Sequence, residues 1–273
     1  MAKFLTLNTH SWMEEAPLDK LEILADAILE EDYDAICLQE INQLLDSEPT
    51  ASPLNYVEVA GAPAIHDDHY ALKLVQLLSQ KGRDYYWSWA YNHIGFDIYQ
   101  EGVAILSKQP LEARSILVSE VDDETDYHTR RALMAKTQVD GRDVVLVSLH
   151  LSWWGKGFEE EWQKLETELK KLDSPLVLMG DFNNPQGNSG YRQVLSSDLR
   201  LQDSHFAAQR SYGQATIEKD IAGWEGNKEA LKVDYIFASQ SFTVETSQVI
   251  FDGSHYPQIS DHCGLASQME VGD

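Results

Sequence analysis

Three stretches of this chain are apolar at nearly every consecutive position, and each stops at a polar residue. Ala35-Ile-Cys-Leu-Gln39 runs into Glu40, Val144-Val-Leu-Val-Ser-Leu149 into His150, and Leu176-Val-Leu-Met-Gly180 into Asp181. Runs this short and this continuously apolar read as strands buried on both faces, because alternation is lost when neither face meets water. Sheets hidden on both sides need covering layers, and helical patterns supply them. Pro17 stands at a favourable first-turn position before Leu18, Leu21, Leu24, Ala25 and Ile28 at helical spacing. A second helix runs through Tyr70, Leu74, Leu77 and Leu78 and stops at Gly82, and a charged amphipathic one covers 159–172. Further strands are expected at 4–8, 85–91, 103–106, 232–237 and 243–250. Asp140-Gly141, between strands at 132–138 and 143–149, is the strongest hairpin signal, and three prolines mark 47–63 as a loop. There is no internal repeat and no low-complexity linker. The simplest organisation is one domain over 1–273, of class α/β (α+β), with mixed sheets and covering helices.

Charge narrows the partners. The chain has 21 Lys and Arg against 45 Asp and Glu, a formal net charge of -24. Wrapping a nucleic acid needs many basic contacts to phosphates, so an extended nucleic-acid surface is disfavoured, although a small local basic site is not. Cys37 and Cys263 read as buried thiols, not a disulfide framework. No run approaches the roughly 20 apolar residues of a membrane span, and the N-terminal residues lead straight into a strand with no export signal. The expectation is a cytoplasmic protein with no membrane partner and no obligate protein partner.

The polar residues at strand ends carry the functional signal. They are Asn8, Glu40, His150, Asp181, Asn183, Asp261 and His262. Singly, each has an ordinary explanation: Asn8 caps a turn, Glu40 pairs with a lysine, and Asp181 and Asn183 form an Asx turn before Pro185. Their recurrence along the chain, in residue types suited to one site on a sheet edge, shifts the balance toward function.

These segments resemble the endonuclease/exonuclease/phosphatase superfamily. The matching motifs are Leu7-Asn-Thr9, Leu38-Gln-Glu40, Glu101-Gly-Val-Ala-Ile-Leu-Ser107, Ser148-Leu-His-Leu151, Met179-Gly-Asp-Phe-Asn183, Val233-Asp-Tyr-Ile-Phe237 and Ser260-Asp-His262, in the family's order. The resemblance implies a DNase I-like four-layer sandwich, with two central mixed β-sheets flanked by helices. It also implies metal-dependent phosphoester hydrolysis. Mg²⁺, or Mn²⁺ in its place, prefers oxygen ligands; Glu40 is the expected primary ligand, with Asn8 beside it and Asp261 on the same or a second ion. Asp234 is expected to orient His262, as a carboxylate orients a triad histidine. Asp181 competes with His262 for the role of general base, and Asn183 donates to the phosphoryl group. The resemblance further suggests His150 on the other side of the phosphate, with Glu101 as its orienting carboxylate.

Substrate is read from what lies between the motifs. Trp153, Trp154 and Lys156 follow His150 directly and are expected to line the cleft, the indoles as a platform for a sugar ring. Packing is the expected role of Tyr85, Trp87 and Trp89. Arg130 and Arg131 read equally well as a phosphate contact or a solvated strand start, and His66-Asp-Asp-His69 reads as helix capping. The segments His93-Ile-Gly-Phe-Asp97, Glu101–Ser107 and Ser152-Trp-Trp-Gly-Lys-Gly-Phe158 resemble the branch containing maltose 6'-phosphate phosphatase. The expected function is therefore hydrolysis of a phosphomonoester on a small sugar. A nuclease and a non-catalytic binding module on the same fold are the alternatives.

Overall fold

The computed structural model describes residues 1–272. In chain order the first half contains β1 (Ala2–Asn8), α1 (Pro17–Glu31), β2 (Ala35–Leu44), α2 (Tyr70–Gln80), β3 (Tyr86–Gly95), β4 (Tyr99–Ser107), β5 (Glu112–Leu117) and β6 (Arg131–Val139). The second half contains β7 (Arg142–His150), α3 (Phe158–Leu169), β8 (Leu176–Asp181), α4 (Ser189–Leu195), β9 (Leu201–Asp203), α5 (Ser204–Ala207), β10 (Arg210–Tyr212), β11 (Asp234–Ser239), β12 (Phe242–Ile250) and β13 (Gly264–Val271). Among the described residues the strands form two mixed sheets, ordered β10-β12-β13-β1-β2-β4-β3 and β5-β6-β7-β8-β11-β9. Also among the described residues, no helix is long and apolar enough to cross a membrane.

Side-chain alternation explains why the three apolar runs are apolar throughout. In β2, Ile36 and Leu38 face α1 and α2, whereas Ala35 and Cys37 face the other sheet. In β7, Val145, Val147 and Leu149 face α3, whereas Val144 and Leu146 face the first sheet. The β8 residues divide likewise, Leu176 and Leu178 toward the helices and Val177 and Met179 toward the facing sheet. Helix, sheet, sheet, helix is thus the only stacking that keeps both faces of each run dry, and it is the expected four-layer sandwich. Tyr85, Trp87 and Trp89 are buried, in the layer between the first sheet and its helices.

The same alternation aims the functional side chains. Residues 2 and 4 of β1, 103 and 105 of β4, 144 and 146 of β7, 177 and 179 of β8, and 236 and 238 of β11 all face the space between the sheets. Continuing each series by steps of two reaches Asn8, Glu101, His150, Asp181 and Asp234. These five therefore converge where the sheets open at one edge. The parallel β7–β8 pairing puts His150 opposite Asp181, and the antiparallel β8–β11 pairing puts Asp234 on the other side of Asp181. Gly180 makes this approach possible. Its φ is 155°, and a Cβ there would lie 1.9 Å from the Leu149 carbonyl oxygen.

Several elements depart from the expected pattern. β2 does not stop at Glu40 but runs on to Leu44, with a register shift between Leu38 and Ile41. β13 was not expected at all, because Ser267, Gln268 and Glu270 break its apolar pattern; it nevertheless pairs with both β1 and β12. The β6–β7 turn is as expected, with Asp140 and Gly141 both at positive φ (51° and 76°). His69 caps α2 by accepting from the Leu72 N–H.

Candidate active site

A cleft of about 260 Å³ opens at this sheet edge, lined by Glu40, His93, Glu101, Arg130, His150, Asp181, Asn183 and His262 among others. One side is acidic. Glu40 sits on the β2 bulge with φ 54°, a left-handed conformation that costs a non-glycine residue about 1–3 kcal/mol. The bulge is held by the Ser11 hydroxyl, which donates to the Glu40 carbonyl at 2.6 Å. The Asn8 amide donates to Glu40 Oε1 at 2.8 Å and to Asp181 Oδ2 at 3.3 Å, bridging the two sheets. Burial, and then the neighbouring charges of Glu101 and Asp261, push the Glu40 carboxyl up to about 7. A buried oxygen of Glu101, Oε2, has no hydrogen-bond partner. Crowded carboxylates with an orphaned oxygen fit a hard divalent cation, which takes oxygen ligands and relieves their repulsion. Glu40 and Glu101, which both line the cleft, would hold it, with Asp261 near enough to Glu40 to act on its charge.

Glu101 does not orient His150. A second register shift, between Tyr91 and His93, sets His93 opposite Glu101, and His93 Nε2 lies 3.5 Å from Glu101 Oε1. His150 instead stands 3.7 Å from Asp181 Oδ2 through its Nε2. Burial, then the Arg130 charge and His262, hold the His150 imidazole well below its ordinary value, so it is neutral.

His262 has the opposite fate. Its Nδ1–H donates to Asp234 Oδ2 at 2.9 Å, and its Nε2 lies 3.7 Å from Asp181 Oδ2. Burial opposes its charge, but the carboxylates of Asp234 and Asp181 outweigh burial and push the imidazole up to about 10. Burial, and then Asp234, push Asp181 up to about 7, with His262 pulling the other way. Two histidines beside one carboxylate thus differ in charge because only His262 has a second carboxylate. Asp181, Asp234 and His262 also form a compact ligand-like cluster, as do His10, Glu14 and Asp261. In the latter, Glu14 is already engaged by His10, Lys20 and the Asp261 N–H.

Asn183, at φ 50°, donates from its amide to the Leu151 carbonyl at 2.9 Å. Arg130 is resolved by burial: it is 4% exposed, and its Nε and Nη1 have no hydrogen-bond partner. Arg131 turns away to the backbone of Tyr91 and Asn92 and to Asp122. Of the expected substrate contacts, Trp153 lines the cleft, with the Lys156 ammonium 5.4 Å from its ring. Trp154 does not; it is 44% exposed and packs beside Phe158, because the tight turn at Gly155 and Gly157 directs it outward. Lys156 backs Trp153 and does not line the cleft. Phe96 and Tyr127 line it instead, along with Ala222 and Gly223 from a distant loop. Phe96 lies in the His93–Asp97 segment that carried the branch resemblance but was not singled out there, whereas Tyr127, Ala222 and Gly223 belong to no motif.

The chain is similar to known proteins in family and in fold. A profile of the endonuclease/exonuclease/phosphatase family matches residues 12–262. Among curated proteins, none matches the chain. Among solved structures, an endonuclease/exonuclease/phosphatase family protein from Leptotrichia buccalis is 29% identical, with TM-score 0.87, over 99% of this chain and 100% of that one. A mannosyl-6-phosphatase from Bacteroides thetaiotaomicron is similar at 17% identity and TM-score 0.70, over 99% and 100% of the two chains. The human Nocturnin catalytic domain, with bound sulfate anion, is similar at 17% identity and TM-score 0.66, over 99% and 93%. The chain therefore belongs to the endonuclease/exonuclease/phosphatase family, whose members are metal-dependent hydrolases that include phosphatases and nucleases.

Proposed function

We propose that this protein is a metal-dependent phosphatase that removes a terminal phosphate from a small phosphorylated sugar, with maltose 6'-phosphate as a candidate. The observation that carries the reading is Arg130. A buried guanidinium with unpartnered Nε and Nη1, facing a small cleft in a chain of net charge -24, wants a compact dianion. A terminal phosphate supplies one. The acidic surface disfavours a long polyanion, which supports a monoester over a nucleic acid.

In this reading the phosphoryl group lies between Arg130 and His262, both cationic. Asn183 donates to it as charge develops. Asp181, its carboxyl pushed up to about 7 and within reach of both histidines, accepts the proton of the attacking water as the water oxygen bonds to phosphorus; the bond from phosphorus to the sugar oxygen breaks, and that oxygen takes up a proton from solvent. Asp234 keeps His262 charged and oriented, and Asn8 fixes Glu40 and Asp181 relative to each other. A divalent cation held by Glu40, Glu101 and Asp261 supplies neutralisation of phosphoryl charge when bound, Mg²⁺ being the expected ion. For the sugar, Phe96 and Tyr127 present rings at the cleft mouth, 50% and 57% exposed. Phe96 holds φ 52°, an unfavourable place for an aromatic residue, which is reasonable where its ring serves a ligand. That a mannosyl-6-phosphatase shares this fold supports a sugar phosphate as the substrate class.

The test is an assay with Mg²⁺ of free phosphate from maltose 6'-phosphate and other sugar phosphates, alongside a diester and plasmid DNA. Phosphate release from a sugar phosphate is expected. Nicked plasmid without such release overturns the proposal in favour of a nuclease, and no hydrolysis with any divalent metal favours a binding module.

A further inference from the structure

Asn183 has a second partner that comes from outside every motif. The indole N–H of Trp224 donates to Asn183 Oδ1 at 3.0 Å. Trp224 rides on a strap over residues 217–231, closed at its base by the antiparallel bridge between Ile217 and Leu231. Ala222 and Gly223 of the same strap form part of the cleft wall. The strap packs against Trp153. Gly223, at φ 80°, lies so close to Trp153 that a Cβ would stand 2.7 Å from the ring carbon Cζ2. The Gly223 N–H donates to Glu225 Oε1 at 3.0 Å.

Donor chemistry gives this contact a consequence. An indole nitrogen only donates, so its partner on Asn183 must be the amide oxygen. The amide NH₂ then points the other way. One of its hydrogens is given to the Leu151 carbonyl at 2.9 Å, the second has no acceptor among the described residues, and Asn183 lines the cleft. A flipped amide would set NH₂ against the indole N–H and oxygen against the carbonyl, losing both bonds. The Asn183 backbone is tied separately, its N–H donating to Asp181 Oδ1 at 2.8 Å.

We propose that Trp224 is a positioning residue, which fixes the amide of Asn183 so that an N–H faces the phosphoryl group and so couples the seating of the strap to the chemistry. The inference rests on the role given to Asn183 above. It is independent of whether the substrate is a monoester or a diester. Because that donation counts most as charge builds in the transition state, the contact acts on kcat more than on KM.

The experiment is a double-mutant cycle on whichever phosphoester the wild-type protein hydrolyses fastest. Trp224→Phe keeps the ring and removes the N–H. We expect kcat to fall about tenfold, less than the roughly 10²–10³ typical of losing a whole donor, with KM within about twofold and the thermal midpoint unchanged. In an Asn183→Ala background the same substitution should cost nothing further. Gly223→Ala reaches the contact by another route, lifting the strap off Trp153, and should lower kcat in the wild-type background but not in Asn183→Ala. A Trp224→Phe loss of equal size in both backgrounds, or a rise in KM alone, overturns the positioning role. Full Trp224→Phe activity beside a crippled Asn183→Ala protein sinks that role while leaving the site assignment standing. Wild-type activity in Asn183→Ala overturns both.

Discussion

Asp234 spends its one hydrogen-bonded carboxylate oxygen on His262, at 2.9 Å from Nδ1, and its other oxygen is buried without a partner. Among the described residues its side chain hydrogen-bonds to the histidine alone, while its charge also raises Asp181. Asp234→Asn keeps the shape and removes the charge that holds His262 protonated. We expect kcat to drop by about 10⁴ with the fold intact, by analogy with carboxylates that orient a triad histidine. Steady-state kinetics with a thermal melt on the same sample checks this; a variant within threefold of wild type contradicts the pairing.

Arg130 predicts a trade between stability and activity. Arg130→Met removes a buried cation whose Nε and Nη1 are unsatisfied. The variant should gain about 1 kcal/mol of stability by denaturant titration while KM rises at least tenfold and product phosphate inhibits more weakly. A loss of stability without a change in KM would make Arg130 purely structural.

Metal binding is expected to depend on Glu40. Glu40→Gln leaves the Asn8 contact possible but removes one of the clustered carboxylates. The Mg²⁺ concentration for half-maximal activity should rise by about 10–100-fold. Because the variant also relieves repulsion among Glu40, Glu101 and Asp261, the metal-free protein should melt no lower than wild type. Calorimetry with Mg²⁺ alone, without substrate, provides the second reading.

For the sugar, Phe96→Ala and Tyr127→Ala should each raise KM for a disaccharide phosphate by about three- to tenfold, each losing part of an aromatic platform. Neither should alter kcat/KM for glycerol phosphate, which has no ring to stack. Equal effects on both substrates would mean that the rings shape the cleft and do not contact the sugar.

Glu161 supplies a pH test away from the chemistry. It is 1% exposed, and its carboxylate accepts from the Ser152 N–H at 2.8 Å and hydroxyl at 2.7 Å, fixing the start of the loop that carries Trp153. Burial raises its pKa above the ordinary 4.5 despite those bonds. The folded state therefore holds the proton more tightly than the unfolded state. The stability so gained is complete below the ordinary value and is lost as pH rises through the raised one. Urea titrations from pH 4 to 7 should show the stability of wild type relative to Glu161→Gln falling across that window; a flat or rising difference refutes the shift.

The continuously apolar runs of β2, β7 and β8 were legible without coordinates as strands buried on both faces, and with them a domain of mixed sheets and covering helices; the four-layer sandwich was what the family resemblance implied. The polar residues Asn8, His150 and Asp181 were legible as the ends of strands, whereas Glu101 and Asp234 entered through the resemblance, and all five close the inner-facing series of the structure. Periodicity is a local property of a chain, so a sequence states it directly. The partners of these residues are not local. The bulges at Glu40 and His93 each insert one residue and reset which side chain faces inward, which is why Glu101 meets His93 and leaves His150 to Asp181. Arg130, adjacent to Arg131 and chemically identical to it, differs only in being buried at the cleft. Trp154, expected at the cleft from its nearness to His150, is turned outward at Gly155 and Gly157, whereas Trp224, some seventy residues on and in no motif, is brought to Asn183 by the strap. Which residue types stand at the ends of the strands is written in the sequence; sheet order, bulges and loop packing decided which of them touch, since those contacts arise only when distant segments are brought together.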